Sequence, residues 1–235
     1  MKSTIFSLLF LSALVPLHAA GDQLTGFPFQ NETLRYNVNY ASGLSLGELT
    51  LSASKSDGGW SFSADLDIGV PGLPIRDKYT ASMGGDYCSV EMTRDMVRGT
   101  KKNNEKITFD QKGGHVLRQT TFPLGGGKTE FRADNCAKDA LAFLYFARKE
   151  LGQGRVPPAG RLYFGGEYGV RLDYTGAQTI QHGGKPTVTD HLNVSIKGKA
   201  ADIKFEMFVA RDAARTPLLI KIPVSVGSLA VELAR

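Results

Sequence analysis

The sequence predicts a mainly β protein, in which a strongly curved antiparallel sheet or open barrel is wrapped around one central α-helix. From Glu32 onward apolar and polar residues alternate with a period of two, which is typical of strands with one buried face. Glycine-rich turn signals return about every eight to twelve residues. A single later segment has the apolar middle and the flanking signals of a helix. Strands joined by such short turns are antiparallel, because a parallel connection needs a longer crossover.

The N-terminal segment 1–20 has the three parts of a secretory signal. Lys2 is basic, Ile5 to Val15 are mostly apolar, and Ala19-Ala20-Gly21 offers small residues for cleavage. The apolar run is shorter than the roughly 20 residues that span a bilayer. We therefore expect a signal peptide at 1–20 and a single β-rich domain at 21–235, located in the periplasm or secreted.

The first half of the domain predicts a series of short strands joined by turns. The alternation of apolar residues shifts between Leu46 and Leu49, which indicates a β-bulge at Gly47-Glu48. Asp57-Gly58-Gly59 is a strong hairpin signal. The predicted strands cover residues 32–40, 46–54, 60–68, 75–83, 87–92, 107–110 and 115–122.

The helix is predicted at about 136–151. Asp134-Asn135 offers two good N-cap residues, and Arg148-Lys149 places positive charge in the last turn. Gly152 can adopt the left-handed conformation that ends helices, and Pro157-Pro158 prevents continuation. Strands then resume at 161–164, 168–174, 178–181, 187–196, 203–209, 218–224 and 229–233.

The chain has two cysteines, Cys88 and Cys136. In an exported chain an even number of cysteines predicts a disulfide, here between a strand and the start of the helix. Closing this loop would stabilise the fold by roughly 4 kcal/mol in the chain-entropy model. Two buried free thiols are the alternative.

The helix has a wider apolar surface than one face against a sheet requires. Either the helix is covered on several sides as a core plug, or an apolar cavity beside it holds an acyl chain. The candidate surface for an apolar ligand consists of Leu141, Phe143, Leu144, Tyr145 and Phe146.

A basic stretch accompanies the net charge of +5, which arises from 28 Lys and Arg against 23 Asp and Glu. No aromatic residue lies between Arg94 and Lys106 to stack on bases, and with the export signal this argues against nucleic acid as a partner. Either the stretch is a solvated face or it makes a weak contact with an anionic surface. The candidate residues for that contact are Arg94, Arg98, Lys101, Lys102 and Lys106.

Catalytic motifs lack the context that their chemistry requires. Gly43-Leu44-Ser45-Leu46-Gly47 matches the nucleophile elbow of hydrolases, but it joins two predicted strands instead of a strand and a helix. Gly125 to Thr129 ends like a phosphate-binding loop but lacks the first glycine. The histidines lack zinc-ligand spacing, so we predict no metal, no cofactor and no catalytic residue. A hydrolase that uses His182, His191 or Asp173 is one alternative.

Three segments together resemble the bacterial family called domain of unknown function 3108. They are the opening strand Glu32 to Tyr36 with its glycine-containing hairpin, the helix segment Asp139 to Tyr145, and the near-terminal hairpin Arg211 to Pro217. The resemblance implies an exported, β-rich envelope protein without an assigned reaction. Together with the wide apolar helix, it leads us to expect a non-catalytic protein that binds a lipid-like ligand, a polymer or another envelope component. A structural or assembly factor that acts by protein–protein contact is the main alternative.

Overall fold

The computed structural model describes residues 29–56, 58–70, 73–199, 201–225 and 227–234. Within these residues, fifteen strands form one sheet, and a single α-helix follows the ninth strand. The predicted mainly β class is therefore confirmed. The predicted signal peptide at 1–20 lies outside the described residues.

The first eight strands form an antiparallel meander in which each strand pairs with the next one. They are Glu32–Tyr40 (β1), Ser45–Ser56 (β2), Gly59–Val70 (β3), Leu73–Gly84 (β4), Ser89–Arg98 (β5), Lys101–Asp110 (β6), His115–Phe122 (β7) and Lys128–Arg132 (β8).

The helix connects a short parallel pair, and a second antiparallel meander follows it. These elements are Lys138–Asp139 (β9), the helix Ala140–Gly152 (α1), Gly160–Tyr163 (β10), Glu167–His182 (β11), Lys185–Gly198 (β12), Asp202–Ala210 (β13), Pro217–Pro223 (β14) and Ser228–Leu233 (β15).

The two meanders join through the first and last strands, because β1 pairs with β15. The order across the sheet is β8 to β1 and then β15 to β9. In the described part of the chain β8 and β9 are the two edges and do not pair with each other. The Tyr163 hydroxyl nevertheless donates to the Arg132 carbonyl over 3.2 Å, so strand β10 approaches strand β8. The sheet is thus strongly curved but not closed into a barrel.

Helix α1 packs against both meanders. It contacts β3 and β4 in the first meander and β10 beside the second. Leu141 and Tyr145 belong to an apolar cluster built mainly by the first meander, whereas Phe143 and Leu151 belong to a cluster with β10 to β13. Because two sets of strands cover the helix, its apolar surface is wide.

The helix begins at Ala140 rather than at about 136. Residues 138–139 pair with β10 instead, and the Asp139 carboxylate caps the helix by accepting from the Leu141 and Ala142 amides at 2.8 and 2.9 Å. Asp134 and Asn135 are exposed and lie before this pair. Within the described residues no helix is both long enough and apolar enough to cross a membrane.

The strand boundaries differ from the predictions where the alternation is weak. The charged segment from Arg94 to Lys106 is largely in strands β5 and β6, and the predicted strands 168–174 and 178–181 form the single strand β11 with a bulge at Thr175. The bulge predicted at Gly47-Glu48 lies one residue earlier, because the register shift between Val38 and Asn39 leaves Leu46 as the extra residue of β2. Gly47 has a φ of 154°, and a Cβ there would collide with the Asp67 carbonyl, so only glycine fits.

Candidate functional site

Most of the predicted apolar helix surface is covered by the protein itself. Leu141, Phe143 and Tyr145 are 7%, 9% and 0% exposed, whereas Leu144 and Phe146 are half-buried. The Tyr145 ring stacks on Phe62 at a centroid distance of 4.5 Å. Burial raises the pKa of the Tyr145 hydroxyl, so this group stays neutral. A ligand cannot reach Leu141 or Tyr145 without displacing the strands that cover them.

A small cleft remains beside Phe146. Phe143 and Phe146 lie on one side of a space of about 260 Å³, and the Lys138 ammonium is 4.6 Å from the centre of the Phe146 ring. Burial lowers the pKa of Lys138, although its ammonium still donates to the Cys136 carbonyl over 3.1 Å. The cleft is small, so it offers room for a small group rather than an extended chain.

Two of the predicted basic residues, Arg94 and Arg98, bind buried carboxylates. Arg94 donates to Glu105 over 2.7 Å, and Arg118 donates to the other oxygen of the same carboxylate. Burial by itself raises the pKa of Glu105, but the hydrogen bond from Arg118 and the charge of Arg94 outweigh burial and lower it. Gly165 packs directly on the Arg94 guanidinium, where a Cβ would collide with it. Arg98 binds Asp77 at 2.8 Å.

The other three basic residues lie toward the surface. Lys106 pairs with Glu91 over 2.7 Å, whereas Lys101 and Lys102 are exposed. The five residues therefore do not form one positive patch. Only Lys101 and Lys102 remain in a position to meet an anionic surface.

A cavity that the sequence does not predict lies where strands β13 and β14 separate. β14 pairs with β13 only between Glu206 and Val209, although Phe205 continues to pair with β12. Pro223, near the point of separation, has no N–H to donate to a neighbouring strand. The strands diverge and leave a space of about 650 Å³, which we call the β13–β14 cleft.

The β13–β14 cleft has an apolar floor. Val194 and Phe205 line it, and both belong to the apolar cluster that contains Phe143 and Leu151 of α1. Pro223 adds a further apolar wall. The floor is therefore part of the core that covers one side of the helix.

The rim of the β13–β14 cleft is charged. Arg171 pairs with Asp173 at 2.7 Å, and His191 lies 3.0 Å from Glu206. Lys204 and Lys221 lack a carboxylate within ion-pair distance among the described residues. An apolar floor with a polar rim is the usual character of a small-molecule site.

The segments that resemble the family meet around one buried arginine. Arg148 of α1 is 0% exposed and forms a bidentate pair with Glu32 at 2.6 and 2.7 Å. Its Nε donates to the Ala214 carbonyl over 3.1 Å, and the Tyr36 hydroxyl donates to the Pro217 carbonyl over the same distance. These contacts connect the opening strand, the helix and the near-terminal hairpin. The shared residues thus hold the fold together instead of forming an exposed reactive site.

The histidines and Asp173 do not converge as the hydrolase alternative requires. His191 lies 2.7 Å from the Thr175 hydroxyl and 3.0 Å from Glu206, whereas His182 lies 3.9 Å from Glu232. Thr175 is the extra residue of the β11 bulge, and its hydroxyl also donates to the His191 carbonyl. These contacts fasten the bulge, and among the described residues they do not bring His182, His191 and Asp173 together.

The remaining motifs are structural. Cys88 and Cys136 form a disulfide with a sulfur–sulfur distance of 2.06 Å, so the alternative of free thiols is wrong. Ser45 begins strand β2, so no helix follows the Gly-x-Ser-x-Gly sequence. Among the described residues, no group of three or more His, Cys, Asp and Glu side chains is arranged to hold a metal ion.

The sequence analysis missed the β13–β14 cleft because its floor and rim come from strands with ordinary alternation. The one local signal was Pro223, which indicates an edge or the end of a paired strand. The position at which a strand stops pairing with the next strand depends on the pairing of the whole sheet.

Comparison with known proteins supports the fold. A family model described as "Protein of unknown function (DUF3108)" matches residues 35–234. A solved structure from Brucella abortus, a β-barrel-like protein of the unknown-function family DUF1849, matches with a TM-score of 0.66 at 7% identity, covering 89% of this chain and 98% of that one.

Two further structures align less well. A candidate exported protein with a YmcC-like fold from Bacteroides fragilis has a TM-score of 0.31 at 12% identity, covering 90% of this chain and 100% of its own. A candidate lipoprotein from Parabacteroides distasonis has a TM-score of 0.31 at 6% identity, covering 88% and 95%. No curated protein sequence matches the chain.

Proposed function

This chain belongs to DUF3108, a family of proteins of unknown function, and we propose that it is an exported, non-catalytic cell-envelope protein that binds an apolar, lipid-like ligand. The predicted signal sequence at 1–20 supports the exported location. A container around the helix is supported by the curved sheet, whose edges in the described part of the chain are β8 and β9, and by the contacts of α1 with β3, β4 and β10.

The observation that carries this proposal is the β13–β14 cleft. Its volume of about 650 Å³ lies in the range of ligand sites, and its floor consists of core side chains, Val194 and Phe205. Val194 is 5% exposed, whereas Phe205 is half-buried and Pro223 is exposed. Phe205 and Pro223 therefore offer the apolar surface to a ligand whose polar end meets the charged rim.

The helix surface contributes to the proposal indirectly. Leu141, Phe143 and Tyr145 are occupied by the core, so the ligand contacts the floor of the cleft rather than α1 itself. Phe143 and Phe205 belong to one cluster, so a ligand on Phe205 presses on side chains that contact the helix. Lys101 and Lys102 are exposed and supply a weak attraction to an anionic membrane surface.

The test fills the cleft without removing core residues. Ser195 lines the cleft and is half-buried, so Ser195→Trp places an indole over the floor. The control is Ser63→Trp, the same change at a half-buried strand position away from the cleft. We expect native mass spectrometry to find a lipid on the unaltered protein and a dansylated fatty acid to bind it saturably, with affinity reduced about tenfold or more by Ser195→Trp only.

Two results would contradict this proposal. One is the absence of both a co-purifying lipid and saturable binding of the dansylated fatty acid. The other is equal binding by the Ser195→Trp and Ser63→Trp variants, which would place the ligand elsewhere.

A contact with another envelope protein is a second candidate function, and an exposed apolar tip favours it. Phe122 and Leu124, between β7 and β8, are 47% and 92% exposed, and β8 is an edge strand. Exposed sheet edges and exposed apolar side chains are common sites of contact between proteins. If this is the function, Leu124→Lys abolishes a specific complex in envelope pull-downs, whereas Leu44→Lys at another exposed leucine, 63% exposed, leaves it intact.

A further inference from the structure

A second cavity, separate from the β13–β14 cleft, lies beyond the C-terminal end of α1. Its volume is about 380 Å³, and Val156 and Tyr174 supply its apolar walls. Three arginines from different parts of the chain also line it, Arg155, Arg211 and Arg215. Within this arginine cleft the single lining carboxylate is Asp190.

Asp190 orients two of the arginines. Its Oδ1 accepts from Arg211 Nε and Nη2, both at 2.9 Å, and its Oδ2 accepts from Arg215 Nη1 at 2.6 Å. The Tyr174 hydroxyl also donates to Oδ1 over 3.2 Å. The Asp190 carboxylate therefore holds the two guanidinium groups in fixed positions. Together the three side chains carry a net charge of about +1.

The two guanidinium groups retain unused donors. A guanidinium has five N–H bonds, and the contacts with Asp190 use only some of them. Arg215 Nε is buried without a hydrogen-bond partner among the described residues. An unpaired buried donor is unfavourable, so an acceptor that reached this atom would stabilise the site.

The backbone at Arg215 also deviates from ordinary geometry. Its φ is +48°, a left-handed conformation that residues other than glycine seldom adopt. Such strain persists where the surrounding structure requires a side chain in one place. Here it keeps the Arg215 side chain directed at Asp190.

Arg155 completes the cleft from the turn after α1. Glu150 holds it through Nε and Nη2 at 2.8 and 3.1 Å, and its side chain is 59% exposed. The positive charge of Arg155 is balanced by Glu150 and by the partial negative charge at the C-terminal end of the helix. Arg211 and Arg215 are then left to bind an anion.

We propose that the arginine cleft binds a phosphate group. A phosphate has several oxygens directed tetrahedrally, so it accepts hydrogen bonds from arginines on different sides of a cleft, whereas a carboxylate has two oxygens in one plane. The apolar walls, Val156 and Tyr174, contact whatever carries the phosphate. This site does not depend on the apolar ligand proposed above, because the two cavities share no lining residue.

The experiment compares variants of the full mature protein by isothermal titration calorimetry with inorganic phosphate, at constant ionic strength set with chloride. Arg211 is 48% exposed, so we expect Arg211→Gln to fold and to weaken phosphate binding about tenfold or more. Arg155→Gln is a second variant that leaves the Asp190 contacts intact, and it weakens binding by a smaller factor. Arg76→Gln, 71% exposed and outside both the arginine cleft and the β13–β14 cleft, is the control and leaves binding unchanged.

A second arm identifies the source of the phosphate, using vesicles of phosphatidylcholine with or without phosphatidic acid. Vesicle binding that requires phosphatidic acid and is competed by inorganic phosphate supports a lipid headgroup. Saturable phosphate binding without vesicle binding supports a free solute. The proposal is overturned if the unaltered protein binds neither probe, or if Arg211→Gln and Arg76→Gln bind equally well.

Discussion

A single buried charge, Arg148, shows how the fold depends on individual residues. Removing a guanidinium from water is costly unless it is paired and hydrogen-bonded. Glu32 supplies both acceptor oxygens, and the Arg148 guanidinium lies 4.4 Å from the centre of the Phe29 ring. Because the partners come from β1, α1 and the hairpin before β14, the Arg148–Glu32 pair forms its contacts only when all three elements are in their folded positions.

We expect Glu32→Gln to lower the free energy of unfolding by roughly 3–5 kcal/mol, because it leaves the Arg148 charge buried without a counter-ion. Urea denaturation of the disulfide-bonded protein measures the change. The control is Asp67→Asn, which breaks the surface pair of Arg76 and Asp67, whose side chains are 71% and 70% exposed. The control should cost less than about 1 kcal/mol. A cost for Glu32→Gln no larger than that of the control would show that the buried pair does not stabilise the fold.

At the scale of elements, the start of α1 is defined by contacts that are distant in sequence. Asp139 is fully buried, and the Ser89 hydroxyl donates to its Oδ2 over 2.6 Å. Burial raises the pKa of this carboxyl, although its hydrogen bonds act in the opposite direction. The Asp139 carboxylate therefore accepts hydrogen bonds from the first amides of the helix and also joins the helix to strand β5 through Ser89.

The cap assignment predicts different effects for two aspartates. Asp139→Ala should destabilise the protein by about 1–2 kcal/mol, because the Leu141 and Ala142 amides lose their acceptor. Asp134→Ala should change stability by about 0.5 kcal/mol or less, since Asp134 is exposed and contacts only the surface residue Arg161 in the described residues. Thermal unfolding of both variants provides the measurement. The reverse order of effects would restore the helix start predicted from sequence.

Sequence alone predicted the elements whose pattern is local, and it failed where pairing decides. The period-two alternation in β1 and β3 requires only neighbours along the chain, and so it identified those strands. Strand β8 is almost entirely exposed, so it lacks alternation and was missed. Strand β9 is a two-residue pairing with β10, which no local pattern encodes. The β13–β14 cleft was missed for a similar reason, because its width depends on where two strands stop pairing.

At the scale of the whole molecule, the disulfide ties two parts of the chain that the sheet does not pair directly. Cys88 precedes β5, and Cys136 lies just before β9 at the opposite edge of the sheet. The Ser89 amide donates to the Ala137 carbonyl over 3.0 Å beside the bond. The disulfide therefore secures the segment that leads from the last strand of the first meander into α1.

Replacing both cysteines by alanine should lower the free energy of unfolding by about 4 kcal/mol, from the loop entropy of a crosslink spanning 48 residues. Denaturation with and without a reducing agent provides the comparison. Reduction should destabilise the unaltered protein by a similar amount and leave the double-alanine variant unchanged. If reduction has no effect on the unaltered protein, the bond does not limit the unfolded chain.

The pairing of β1 with β15 has a consequence for the order in which the protein is made. Strand β1 leaves the ribosome early and β15 last, so one side of β1 has no partner until Ser228–Leu233 have been synthesised. Contacts between such distant parts of a chain form slowly. The two meanders therefore cannot join before Ser228–Leu233 have crossed the membrane that the signal sequence is predicted to direct the chain across.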